Sequence, residues 1–180
     1  MSPERAIRLP EPCVVVLVGA AGAGKTTLAA RHFASDEVLS SDAYRAIVSG
    51  DETDQAATEA AFRALHHELH RRLAERRTTV VDATSVTSFA RRSLTRIAAR
   101  HDVPPVAVVL DLPPDLVLAR NATRDGRIVP EAAVRRQLSA LRGSLERDEL
   151  AADGFVAVHV LHDASDVERL RFERPTRRPS

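Results

Sequence analysis

Tryptophan is missing from this 180-residue chain, aromatic residues make up only 3% of it, and there is a single cysteine, Cys13. One cysteine permits no disulfide within the chain and fits a reducing, cytoplasmic compartment. So few aromatics provide no platform on which successive bases of a single strand could stack. No apolar run is long enough to span a bilayer, and Met1-Ser2-Pro3-Glu4-Arg5 lacks the apolar core of a signal peptide, so no membrane partner is expected. A net charge of +1 signals neither a nucleic-acid nor a membrane binder by itself. Lysine is almost absent too: of 26 basic residues only Lys25 is one. In a chain that otherwise uses arginine, a lysine marks a place where a compact ammonium does what a planar guanidinium fork cannot.

Lys25 lies in Gly19-Ala20-Ala21-Gly22-Ala23-Gly24-Lys25-Thr26, which fits the phosphate-binding loop G-x-x-x-x-G-K-[ST]. The glycines let successive N–H groups turn inward toward phosphate oxygens, Lys25 reaches the β and γ phosphates, and the Thr26 hydroxyl ligates Mg²⁺. The flanks agree. Cys13 to Val18 is a continuous apolar run that predicts a buried parallel strand, and Thr27 to His32 predicts a helix.

Further strands are predicted at Glu37–Ser40, Thr78–Asp82, Val106–Asp111 and Phe155–Leu161. Between them lie helical patterns: one with Phe62, Leu65, Leu69 and Leu73, one from Ser88 to His101, one from Pro114 toward Asn121, and one after Pro130 with Val134, Leu138, Leu141 and Leu145. Alternating strands and helices predict an α/β fold, a phosphate-loop kinase-type parallel sheet with helices on both faces and a short helical arginine lid. The expected layout is one domain over 12–173, an N-terminal extension over 1–11 and a disordered basic tail over 174–180.

Ligands of such sheets bind beyond the carboxyl ends of the strands, so the residues following each strand are the candidates. Asp42 and Arg45 would share one helical face, able to orient an acceptor hydroxyl and take its proton, or else to cap a helix with Arg45 as a surface partner. Asp82 stands where a strand-end acid would arrange Mg²⁺ or its waters, or else simply caps the strand. Arg120, Arg124 and Arg127, with the hinge Gly126, read as a lid that neutralises a transferring phosphoryl group, or else as a solvated basic face. His66 and His70 share a face but have no third zinc ligand in the pattern, since the position completing H-E-x-x-H is Arg71. Arg92, Arg96 and Arg100 form a basic stripe suited to a polyanion or to solvent.

Taken together, the loop, Leu39 to Arg45, Asp51 to Gln55, Val80 to Thr84 and Arg120-Asn121-x-x-Arg124-x-x-Arg127 resemble the 5′-polynucleotide kinase domain of bacterial end-healing RNA repair enzymes, over nearly the whole chain. The resemblance implies that Gly19 through Thr27, with Arg120, Arg124 and Arg127, hold an NTP, and that Lys25 and Thr26 contact its phosphates and Mg²⁺. It implies Asp42 as general base for a 5′-hydroxyl, Arg45 as its positioning partner, Arg120 and Arg124 as lid arginines on the donor, and a metal role at Asp82. The family often continues Asp-Ala-Thr with asparagine, where this chain has Ser85. Its repair enzymes add phosphatase and ligase-like domains that this chain lacks, so the resemblance implies healing of the 5′ end alone unless separate phosphatase and ligase partners supply the rest. A kinase for a small hydroxylated metabolite or antibiotic, and a nucleotide-binding switch, are the competing expectations.

Overall fold

A computed structural model describes residues 5–49, 55–125 and 128–175. Five strands form one fully parallel sheet: β2 (Val14–Val18), β3 (Val38–Ser40), β4 (Thr79–Asp82), β5 (Pro105–Leu110) and β6 (Ala157–Leu161), in the order β3-β4-β2-β5-β6. β2 and β5, in the middle of the sheet, are apolar at every position because both faces are covered, while β3 and β4 end in the polar Ser40 and Asp82. Val15 and Leu17 of β2 face a core shared with Leu28, Val117 and Val134. Val14, Val16 and Val18 face another, built on Leu65, Leu69, Leu73, Leu94 and Ile97.

The covering helices are α1 (Lys25–His32), α2 (Ser41–Ser49), α3 (Gln55–Ala74), α4 (Ser88–Arg100), α5 (Pro114–Ala122), α6 (Glu131–Glu146), α7 (Glu149–Ala152) and α8 (Ala164–Arg169). After β2 the chain leaves for the outer strand β3, and after β4 it crosses to β5 on the other side. The adjacent carboxyl ends of β2 and β4 are therefore the topological switch point, the usual place for a crevice.

Two short strands carry no periodicity strong enough to announce them. β1 (Arg5–Arg8), within the segment read as an extension, pairs in parallel with β7 (Leu170–Glu173) and buries Ile7 and Leu170 against the first core. Arg174, in the segment read as a disordered tail, bridges to Glu37 at 2.6 Å and lies over the Phe33 ring. Residues 176–180 of that tail, Asp51 to Asp54, and Gly126 with Arg127 are outside the described residues.

Candidate active site

The loop between β2 and α1 is held open by its own backbone. Gly22 and Gly24 have φ of 86° and 97°, a region that costs residues with a Cβ. A Cβ on Gly22 would also come within 2.5 Å of the Val117 carbonyl oxygen, so α5 backs the loop at contact distance. The Gly19 N–H donates to the Thr84 carbonyl at 3.1 Å, tying the loop to the end of β4.

Lys25 is 8% exposed, and its ammonium donates to the Gly19 and Ala20 carbonyls at 2.8 and 2.9 Å. Burial lowers its pKa to about 8, the effect partly offset by the nearby charges of Asp82 and Asp42 and deepened by Arg124. The Thr26 hydroxyl donates to Asp82 at 2.7 Å. That contact gives Asp82 a partner across the switch point, which a plain strand cap would not need.

Asp42 is the second residue of α2, and the capping contact there comes from Ser40, whose hydroxyl accepts from the Ala43 N–H at 3.5 Å. Asp42 is left to bind Arg45, and Arg124 approaches its other oxygen at 3.9 Å. Arg120 sits in the last turn of α5, whereas Arg124 lies beyond the helix, which stops at Ala122 with Thr123 as its cap. The cause is Asn121: its amide donates to the Val129 carbonyl at 2.7 Å and accepts the Val129 N–H at 3.2 Å, pinning the two ends of the intervening loop. Arg120 and Arg124 are thus presented from a helix end and a loop rather than from one helical face.

These residues line one cleft of about 980 Å³, which brings together Ala21 through Thr27, Asp42, Arg45, Asp82, Arg120 and Arg124. Arg127, assigned to the same set from the sequence, is outside the described residues. Among the lining residues that the sequence did not single out are Arg31, Glu168 and Gln137. Gln137 accepts the Ala21 N–H at 2.9 Å, occupying one of the loop donors. It was visible in principle, as a polar residue on the apolar stripe of α6 defined by Val134, Leu138 and Leu141. Thr26 and Asp82 are hard oxygen donors in contact, a set that fits Mg²⁺, which binds through one or two carboxylates and substrate phosphates. His70 turns to His101, ring nitrogens 2.9 Å apart.

A phosphate loop, a strand-end acid and arginines converging on one crevice are the parts of a phosphoryl-transfer site. A family model described as an AAA domain matches residues 14–147. The chain belongs to that AAA domain family. Its fold is also that of several solved structures. The structure of the Pnkp1/Rnl/Hen1 RNA repair complex is similar at 22% identity and a TM-score of 0.62, over 77% of this chain and 47% of that one. A sugar kinase from Janibacter sp. HTCC2649 matches at 22% identity and 0.56, over 84% and 85% of the two chains. The AvrRxo1-ORF1:-ORF2 complex with ATP matches at 15% and 0.66, over 86% and 55%. This AAA domain chain spans about half the length of the repair-complex chain it matches. A comparison with curated proteins returns no match. At such identities the likeness establishes a phosphate-loop kinase fold. Among the described residues no helix is long and apolar enough to cross a membrane.

Proposed function

We propose that this chain transfers the γ-phosphate of ATP, or of another NTP, to the 5′-hydroxyl end of RNA or DNA. The observation that carries the reading is Asp42: a carboxylate at the cleft wall, oriented by Arg45, faced by Arg124, and in the same cleft as Lys25. In the proposed reaction Lys25 and the loop N–H groups hold the β and γ phosphates. Arg120 and Arg124 neutralise charge on the transferring group, and Asp42 accepts the proton of the attacking hydroxyl. A bond forms between that oxygen and the γ phosphorus, the bond to the β,γ-bridging oxygen breaks, and the nucleoside diphosphate leaves. When bound, Mg²⁺ at Thr26 and Asp82 would supply charge neutralisation between the β and γ phosphates.

The likeness to a chain of an RNA repair complex supports a nucleic-acid acceptor and work alongside partner proteins. The buried, unpaired Cys13 supports a cytoplasmic setting. A second reading, a kinase for a small hydroxylated metabolite, is supported by the near end-to-end match with the sugar kinase. The test is transfer from γ-labelled ATP with Mg²⁺ to a 5′-OH oligonucleotide, alongside the same strand already 5′-phosphorylated. Label on the 5′-OH strand alone is the expected result. ATP turnover with neither strand labelled would overturn it in favour of the small-molecule kinase or a nucleotide switch.

A further inference from the structure

Helix α4 begins six residues after Asp82, and Ala83 and Thr84 between them line the cleft. Its inner face is Arg91, Leu94, Thr95, Ile97 and Ala98, all buried. Its outer face presents Phe89, 84% exposed, followed by exposed Arg92, Arg96 and Arg100. At about 1.5 Å of rise per residue the three guanidinium groups step roughly 6 Å at a time away from the cleft. This spacing is suited to a run of backbone phosphates.

These three arginines stand one helical turn apart on one exposed face, beside an exposed aromatic and with no acid paired to them among the described residues, whereas several arginines on the neighbouring helices are held by carboxylates. Arg71 and Arg72 on α3 share Glu68, Arg135 is paired with Glu131 one turn away, and Arg147 with Glu149. Among the described residues, no carboxylate lies within ion-pair distance of Arg92, Arg96 or Arg100. The acids on the helices packed beside α4 are committed: Glu68 and Glu75 to α3's own arginines and to Arg77, and Glu149 and Asp153 to Arg91. Exposed Asp102 lies past the helix end, away from the cleft.

We propose that this face of α4 binds the backbone of a single-stranded nucleic acid leading into the cleft, Arg92, Arg96 and Arg100 pairing with phosphates and Phe89 stacking on one base near the mouth. The proposal rests on the polynucleotide reading of the cleft and deepens it. One aromatic is not a stacking platform, so the arginines carry the affinity and the surface reads charge rather than sequence.

Two measurements test it. Anisotropy of a labelled 5′-OH RNA of about 20 nucleotides, without ATP, reads the surface directly. Phosphate transfer to that RNA and to a trinucleotide reads its use. The R92A/R96A/R100A protein, which alters only exposed side chains, is expected to melt like the parent and to bind the long RNA at least tenfold more weakly. Its plot of log affinity against log salt should flatten by about 2, at roughly 0.7 per phosphate contact in single strands. KM for the long RNA should rise while kcat and KM for the trinucleotide stay unchanged, and R92K/R96K/R100K should restore binding. Phe89→Ala alone should weaken binding by roughly fivefold or more. Unchanged affinity, salt slope and long-RNA KM in the triple alanine variant would overturn the surface and leave the kinase reading intact. Salt-dependent RNA binding lost in that variant, with no transfer to any 5′ end by the parent, would overturn the kinase reading and leave the surface. Equal competition by inorganic polyphosphate, with no effect of Phe89→Ala, would overturn the assignment to nucleic acid.

Discussion

Burial brings the Lys25 ammonium down to about 8 from its ordinary 10.5, because the loop carbonyls replace only part of its water. The unfolded chain therefore binds more protons between about pH 8 and 10.5. The cost of burying the charge, felt in full below pH 8, is relieved as pH rises through that window. Nucleotide binding runs the other way, since phosphates need the ammonium charged. ATP affinity is expected to fall by up to about tenfold per pH unit above pH 8, with proton uptake on binding. Calorimetry in two buffers of different ionisation heat reads that uptake, and a pH-independent affinity across pH 8 to 10 would contradict it. In the proposed reaction Asp42, also in the cleft, would act on transfer rather than on nucleotide binding. Asp42→Ala is expected to fold and to bind ATP normally while transfer drops by roughly 10²- to 10⁴-fold. Near-parental transfer by that variant would remove Asp42 from the mechanism.

Among the elements, the phosphate loop and α5 are built against each other. Gly22→Ala would bring a methyl within 2.5 Å of the Val117 carbonyl oxygen and 2.9 Å of the Asn121 Cβ, at a φ of 86°. The backbone conformation alone costs about 1–2 kcal/mol, and α5 would have to shift as well. A lower melting temperature together with weaker ATP binding is expected; a variant with parental values in both would show that the two elements are not coupled. The loop itself was legible in the sequence, because its geometry depends on glycines and one lysine in adjacent positions. The setting of Arg124 was not. The sequence pattern ends the helix from Pro114 near Asn121, as observed, but it does not show that Asn121 turns its amide to Val129, which sets Arg124 in the segment beyond the helix.

Across the whole molecule, Arg91 joins parts of the chain that no local pattern connects. It is fully buried, donates to Asp153 at 2.6 Å, to the Val86 carbonyl at 2.7 Å and to the Ser144 hydroxyl at 3.1 Å, and so ties α4 to α6 and to the turn after α7. Its bond to Val86 also holds the segment that follows Asp82. Arg91→Met leaves Asp153 buried without its partner and is expected to cost about 3–5 kcal/mol in denaturant unfolding. Adding Asp153→Leu should recover much of that loss, because an uncompensated buried charge, rather than a missing attraction, dominates it. A double variant no more stable than the single one would refute this account.

The sequence by itself determined the parallel sheet, the phosphate loop and the order of strand-end candidates, since a two-faced apolar strand, an amphipathic helix and a glycine-rich turn are each written over a few neighbouring residues. Only the tertiary structure decided that Asp82 meets Thr26, that Gln137 takes a loop N–H, that β1 pairs with β7 from the opposite end of the chain, and that Arg91 faces inward while Arg92 faces out. Each of these depends on which elements come to lie side by side. A charged or polar residue on a helix reads the same in sequence whether water or a buried carboxylate receives it.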